Sequence, residues 1–170
     1  MKSINYFLYI FLAGLLFVSC EKKDVPQGLP EFENHYYAAY IPNTNTAVIV
    51  QKTQTALVKF PVQFYSAFSR SYDAVAYYSI VTTGITTPAI VGKDFDVVDK
   101  NGKVLTAGDS ARYTINFPKA ERFMDTIYLK MLNNPLTGTR KMEVQIQEHK
   151  TDQYYVDIFS TAFRRPVEIR

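Results

Sequence analysis

The chain has 170 residues, of which 47% are hydrophobic, and its 19 lysines and arginines face 16 acidic residues, for a net charge of +3. Because the two signs are interspersed, the composition excludes a polybasic nucleic-acid binder. One cysteine and two histidines exclude a disulfide framework and a cysteine-rich zinc site, so we expect no metal and no cofactor.

The N-terminus has the pattern of an export signal. Lys2 carries the only charge before Cys20, and residues 4–18 form an uncharged, apolar stretch. A helix over this stretch would span about 22 Å, which is less than the roughly 30 Å hydrocarbon core of a bilayer. Residues 1–19 are therefore predicted to be a cleaved signal peptide and not a retained membrane span.

The only cysteine stands where the apolar stretch ends. Ser19 precedes Cys20, and the charged segment 21–24 follows it. This arrangement resembles a bacterial lipoprotein signal, which is cut before the cysteine so that the new N-terminus carries acyl chains. The resemblance implies lipid attachment at Cys20 and firm attachment to the membrane. Segment 21–24 also loosely resembles surface-export signals of outer-membrane lipoproteins in glycan-foraging bacteria, which implies an outer-membrane location at the cell surface, with the periplasmic face as the alternative.

Residues 20–33 are predicted to be the lipidated N-terminus and a flexible tether. They contain Pro26, Gly28 and Pro30 and have no apolar periodicity. Residues 34–170 are predicted to form a single β domain, because short alternating or β-branched runs follow one another between turn signals. The predicted strands are 35–41, 46–51, 56–65, 73–83, 95–98, 103–106, 113–117, 127–131, 142–146 and 167–169.

Three local features refine this assignment. Pro61 lies inside a predicted strand and favours an edge strand or a bulge, because proline cannot donate to a ladder. Asn101-Gly102 predicts a hairpin turn between 95–98 and 103–106. Segment 154–163 is compatible with one helical turn or with an interrupted strand. The number and spacing of the strands indicate an all-β sandwich or barrel.

The second half of the chain supplies a family resemblance. It rests on segments 78–80, 87–95 and 105–115 and on the last predicted strands, 142–146 and 167–169. These segments resemble the Calx-β type of immunoglobulin-like domain, and more broadly domains of outer-membrane lipoproteins in glycan-foraging bacteria. The resemblance implies a two-sheet antiparallel β-sandwich used for adhesion or ligand presentation. The calcium bound by some members is not expected here, because the acidic residues lack the dense clustering that supplies six to eight oxygen ligands.

Acidic and histidine side chains give no sign of catalysis. Asp94, Asp96 and Asp99 are interpreted as a solvated strand face followed by a turn-initiating aspartate. His35 and His149 flank strand ends without a nucleophile motif such as Gly-x-Ser-x-Gly, and are interpreted as surface imidazoles. We therefore predict no catalytic residue and no enzyme, with a small hydrolase as the minority alternative.

The thirteen tyrosines are more informative, and three adjacent pairs occur at 36–37, 77–78 and 154–155. Successive side chains of a strand point to opposite faces, so one member of each pair is predicted to face the core and the other the solvent. Aromatic rings with a polar tip suit sugar stacking or protein contact, and the candidate ligand contacts are Tyr37, Tyr78 and Tyr155. The alternative is that strand propensity and core packing explain the tyrosines.

The sequence thus predicts a lipid-anchored, non-catalytic binding accessory of the cell envelope. Its expected function is surface glycan capture or uptake, and the alternative is a structural or adhesion module that binds another envelope protein. The expected partners are the membrane, through the lipid, and a polysaccharide or an envelope protein, with no nucleic acid.

Overall fold

The strands of the structure follow the apolar runs of the sequence. The structure, a computed structural model, describes residues 33–135 and 137–170. The predicted signal peptide and, of the tether predicted over 20–33, residues 20–32 with Cys20 therefore lie outside the described residues. In chain order the strands are β1 (His35–Tyr40), β2 (Val48–Val50), β3 (Val58–Tyr65), β4 (Ala74–Val81), β5 (Phe95–Val98), β6 (Arg112–Phe117), β7 (Phe123–Met131), β8 (Arg140–Gln147), β9 (His149–Lys150), β10 (Tyr155–Ile158) and β11 (Arg164–Ile169). Two single-turn 3₁₀ helices, Asp109–Ala111 and Pro118–Ala120, flank β6. Within the described ranges, no helix has the length and apolar character needed to cross a membrane.

The strands form two sheets. The six-stranded sheet has the order β5-β7-β3-β1-β10-β9, and the five-stranded sheet has the order β2-β11-β8-β4-β6. Most neighbours are antiparallel, and the exceptions are β1 beside β10 and β2 beside β11, which are parallel. The predicted all-β, two-sheet sandwich is confirmed, and the two parallel pairs are a feature that local sequence patterns do not reveal.

The core lies between the inner faces of the sheets and contains several aromatic rings. Phe64 of β3 stacks on Phe117 of β6, with ring centroids 4.3 Å apart and ring planes 19° apart. Tyr40 of β1 is fully buried, and its hydroxyl donates a hydrogen bond of 3.0 Å to the carbonyl of Val144 in the opposite sheet. Aromatic packing and this buried hydrogen bond therefore help to join the two sheets.

Pro61 lies neither in an edge strand nor at a bulge, because the register of β3 with β7 passes through it one residue to one, so that prediction is wrong. Strand β3 lies between β7 and β1, and Tyr40 pairs with Val62 at the end of β1. The N–H of the next residue, Ile41, donates to the Pro61 carbonyl at 2.9 Å. Proline has no N–H with which to donate a bond back to Ile41, and that bond would be the last one between β1 and β3, because β1 ends at Tyr40. Proline is therefore tolerated in this central strand.

The turn predicted at Asn101-Gly102 is confirmed. The Asp99 carboxylate accepts bonds from the backbone N–H groups of Asn101 and Lys103, at 2.8 and 2.9 Å, and Gly102 has φ +82°. The strand predicted after this turn is reduced to a single bridge between Val98 and Val104.

Segment 154–163 is an interrupted strand and not a helical turn. Strand β10 ends at Ile158, and a turn follows in which the Ala162 N–H donates to the Phe159 carbonyl at 2.9 Å. The chain then enters β11 in the other sheet, so this turn carries the chain from one sheet to the other.

Candidate functional site: an aromatic row on the six-stranded sheet

Five aromatic side chains form a continuous row on the outer face of the six-stranded sheet. In spatial order the row runs from Tyr155 through His35, Tyr37 and Phe159 to Tyr65. Successive ring centroids are 4.7, 4.9, 4.9 and 5.7 Å apart. We call these five residues the aromatic row.

Strand register explains why the row forms. The parallel pairing of β1 with β10 places His35 beside Tyr155, and the antiparallel pairing of β1 with β3 places Tyr37 beside Tyr65. The intervening residue, Tyr36, points into the core and is only 3% exposed. The row crosses three neighbouring strands and so covers about 10 Å of the sheet, given a strand spacing of about 4.8 Å.

The rings stand side by side on the sheet. The planes of Tyr155 and His35 differ by 25°, and those of His35 and Tyr37 by 24°. Both faces of the imidazole are therefore covered by neighbours, whereas Phe159 is 38% exposed. The row presents ring edges, phenol groups and the accessible surface of Phe159 to a ligand.

Polar groups accompany the rings. His35 Nε2 lies 3.1 Å from Asp157 Oδ2, and the two side chains are 16% and 23% exposed. The Tyr155 hydroxyl donates to the Glu148 carboxylate at 2.8 Å, and this hydrogen bond, which requires the phenol proton, raises the pKa of Tyr155 above its ordinary value. The carboxylates of Asp157 and Glu148 thus lie beside the row, where they could accept bonds from ligand hydroxyl groups.

A cation lies at each end of the row. The Lys150 ammonium is 6.0 Å from the centre of the Tyr155 ring, and the Arg122 guanidinium is 5.9 Å from that of Tyr65. Both distances are compatible with weak cation–π attraction.

The candidate tyrosines have different positions. Tyr37 and Tyr155 are half-buried and belong to the aromatic row. Tyr78 is 2% exposed and stacks on Tyr113 in the core at 5.2 Å, and burial raises its pKa. Tyr78 is therefore corrected from a surface candidate to a core residue. Its neighbour Tyr77 faces outward, because sheet packing has turned the other side of β4 toward the core.

The two histidines are not simple surface imidazoles, and this interpretation is corrected as well. His35 is stacked within the aromatic row and pairs with Asp157. His149 Nδ1 lies 2.7 Å from the Val75 carbonyl oxygen, and its ring packs on Tyr77 at 4.3 Å. Packing against aromatic neighbours holds both imidazoles in place.

Asp94 is also corrected, because it is buried and not on a solvated strand face. Its side chain is 2% exposed and accepts bonds from the Ile90 N–H at 2.8 Å and from Asn134 Nδ2 at 2.7 Å. Asp94 therefore fastens two loops together, while Asp99 initiates a turn as predicted. Across 33–135 and 137–170, no group of three or more His, Cys, Asp or Glu side chains could hold a metal ion.

Sequence reasoning missed three members of the row. His35 was identifiable in principle, since it shares its strand parity with Tyr37. Tyr65 gave no comparable signal, because only the pairing of β1 with β3 brings it beside Tyr37. Phe159 lies past the end of β10, where strand alternation no longer applies.

No protein-family model matches the sequence, and a search of curated proteins gives no match either. Among solved structures, the chain is similar to the apo form of the Calx CBD1 domain, with a TM-score of 0.50 and 10% identity over 79% of this chain and 97% of that one. The Calx CBD2 domain is similar with a TM-score of 0.47 and 14% identity, over 79% of this chain and 85% of that one. The fold is a Calx-β-like, immunoglobulin-like β-sandwich, in agreement with the resemblance noted in the sequence.

Proposed function

We propose that this protein is a lipid-anchored, non-catalytic binding module of the bacterial cell envelope, and that its aromatic row binds a glycan for surface capture or uptake. The observation that carries the proposal is the unbroken row of five rings across three strands of one sheet face. The envelope location rests on the sequence alone, through the signal-like residues 1–19 and Cys20.

The chemistry of the row suits a sugar chain. The apolar C–H groups of a sugar ring pack on aromatic surface, here that of Phe159, while the tyrosines offer ring edges and phenol groups. Ligand hydroxyl groups can donate to the carboxylates of Asp157 and Glu148, and bonds to a charged group are stronger than bonds between neutral groups. A row about 10 Å long holds more than one point of contact, which favours a polymer over a single sugar.

Affinity electrophoresis tests the proposal directly. A soluble form that lacks residues 1–19 and carries Cys20→Ser is run through gels containing plant, host or microbial polysaccharides, first with calcium and then with a chelator. We expect one glycan class to retard the protein, and Tyr37→Ala and Phe159→Ala to restore free migration. Tyr128→Ala is the matched control, because Tyr128 is a half-buried tyrosine of the same sheet outside the row.

Two results would count against glycan binding. One is free migration in every gel, and the other is retardation that Tyr37→Ala leaves unchanged. Attachment and orientation need a separate test in intact cells, by incorporation of labelled fatty acid into the wild type and the Cys20→Ser variant and by protease access from outside. Absence of label, or protection from protease, would refute the surface-lipoprotein part of the proposal.

A protein partner is the second candidate function, and one observation favours it. Met124 of β7 lies opposite Gln63 and is 52% exposed on the same sheet face as the aromatic row. Exposed apolar side chains beside aromatic rings are typical of protein contacts. This candidate predicts a stoichiometric cross-linked partner in cells that is lost in Met124→Glu, whereas a purely glycan-binding surface would give no such product.

A further inference from the structure

Strand β6 is an unusually open edge of the sandwich. It is the last strand of the five-stranded sheet and pairs only with β4. The other edge strands of the described chain are shorter, with three residues in β2, two in β9 and four in β5. Strand β5 is further covered by the Val98–Val104 bridge and by the bond from the Leu105 N–H to the Val97 carbonyl. Long uncovered edges are a known template for pairing with another chain.

The direction of the free backbone groups follows from β4. The Val75 N–H donates to the Tyr154 hydroxyl at 3.1 Å, and the Val75 carbonyl lies 2.7 Å from His149 Nδ1. Both partners lie on the β8 side, so the odd-numbered residues of β4 face β8 and the even-numbered ones face β6. The register then points the backbone groups of Thr114 and Asn116 away from the sheet.

A loop confirms this direction and shows where the open edge begins. The Gly108 N–H donates to the Arg112 carbonyl at 2.8 Å, from the side opposite to β4. Beyond that bond, Thr114 and Asn116 are exposed, and no backbone partner occurs on their outer side among the described residues. Four backbone groups are therefore available to an added strand.

A groove of about 420 Å³ adjoins this edge and carries a fixed cation. The Arg112 guanidinium lies 4.5 Å from the centre of the Tyr77 ring, and its Nε donates to the Asp109 backbone carbonyl at 3.4 Å. Asp109 also lines the groove, but its carboxylate forms no ion pair with Arg112. Within the described residues the two terminal nitrogens of Arg112 have no hydrogen-bond partner. A guanidinium held in this way is suited to two parallel bonds with a carboxylate.

We propose that β6 accepts an extended segment of a partner protein as an added strand, and that an acidic side chain of that segment pairs with Arg112. Backbone bonds to Thr114 and Asn116 would supply affinity, and the ion pair would set the register and select acidic sequences. This site lies on the five-stranded sheet and is independent of the aromatic row, so either one can fail without the other.

Peptide selection tests the proposal. The full chain is immobilised and panned against a displayed library of random ten-residue peptides. We expect the selected peptides to combine Asp or Glu with β-branched residues, and to bind Arg112→Gln at least tenfold more weakly. Asn116→Pro should abolish binding because it removes an outward N–H, while Asn116→Ala, the matched control, should leave it unchanged. Asn116→Pro should still fold, because proline is tolerated in an edge strand where the N–H that it lacks would face solvent.

A second measurement keeps the test independent of folding. Peptides methylated at alternate backbone nitrogens are bound to the wild-type chain, and only one of the two methylation patterns should abolish binding. The proposal is overturned if neither pattern matters, if Asn116→Pro that retains the wild-type unfolding temperature binds as well as wild type, or if no peptide is enriched. It is also overturned if polygalacturonic acid, and no peptide, binds in an Arg112-dependent manner, which would make the groove a site for an acidic glycan.

Discussion

Replacing Tyr40 by phenylalanine tests how the two sheets are held together. Tyr40 has no exposed surface, and its hydroxyl bonds to the Val144 carbonyl across the core at 3.0 Å. Tyr40→Phe keeps the ring and its contact with the Arg165 guanidinium, 4.7 Å from the ring centre, and removes only the hydroxyl. We expect the free energy of unfolding to fall by about 1–2 kcal/mol, because the bond is lost and a buried acceptor loses a partner. Tyr40→Ala, which also removes the ring, should cost about 3–5 kcal/mol.

The assay is equilibrium unfolding in urea, read as a change in midpoint at constant slope. For a domain of this size each kcal/mol corresponds to about 4 °C in Tm, so Tyr40→Phe should melt roughly 4–8 °C below the wild type. Equal stabilities of Tyr40→Phe and wild type would show that the hydroxyl contributes no net stability. A Tyr40→Ala cost below about 2 kcal/mol would contradict the buried position of the ring.

Three further predictions concern buried and turn residues. Burial raises the pKa of Tyr78 above the ordinary value of about 10. The contribution of the protonated phenol to stability is therefore fully present below about pH 10 and is lost above it, where the unfolded chain ionises more readily than the folded one. Tyr78→Phe should make this alkaline decline in the free energy of unfolding shallower, as measured by urea unfolding at a series of pH values. Asp94→Ala should cost about 2–4 kcal/mol, because it leaves the Ile90 N–H and Asn134 Nδ2 without their buried acceptor, and an unchanged Tm would refute this role. Gly102→Ala should lower the free energy of unfolding by about 1 kcal/mol, because alanine is strained at this positive φ, and an unchanged urea midpoint would contradict this reasoning.

Most of the fold could be predicted because strands leave a local signal. The alternating apolar residues of 113–117, 127–131 and 142–146 mark parts of β6, β7 and β8, and they proved to be buried. The Asp99 turn was likewise predictable, since the side chain bonds to backbone groups only a few residues away. Pro61 was placed wrongly because its tolerance depends on where a different strand, β1, ends.

The candidate site was less predictable, because it depends on contacts between distant parts of the chain. Local periodicity sufficed to state that adjacent tyrosines of a regular strand point in opposite directions. It could not decide that Tyr77 faces outward and Tyr78 inward, since both faces of β4 carry apolar residues and only packing against the other sheet distinguishes them. The aromatic row itself exists only in the tertiary structure. The contact at one end of the row joins His35 to Tyr155 through parallel pairing of β1 with β10, and no short-range pattern specifies which strands become neighbours across such a separation.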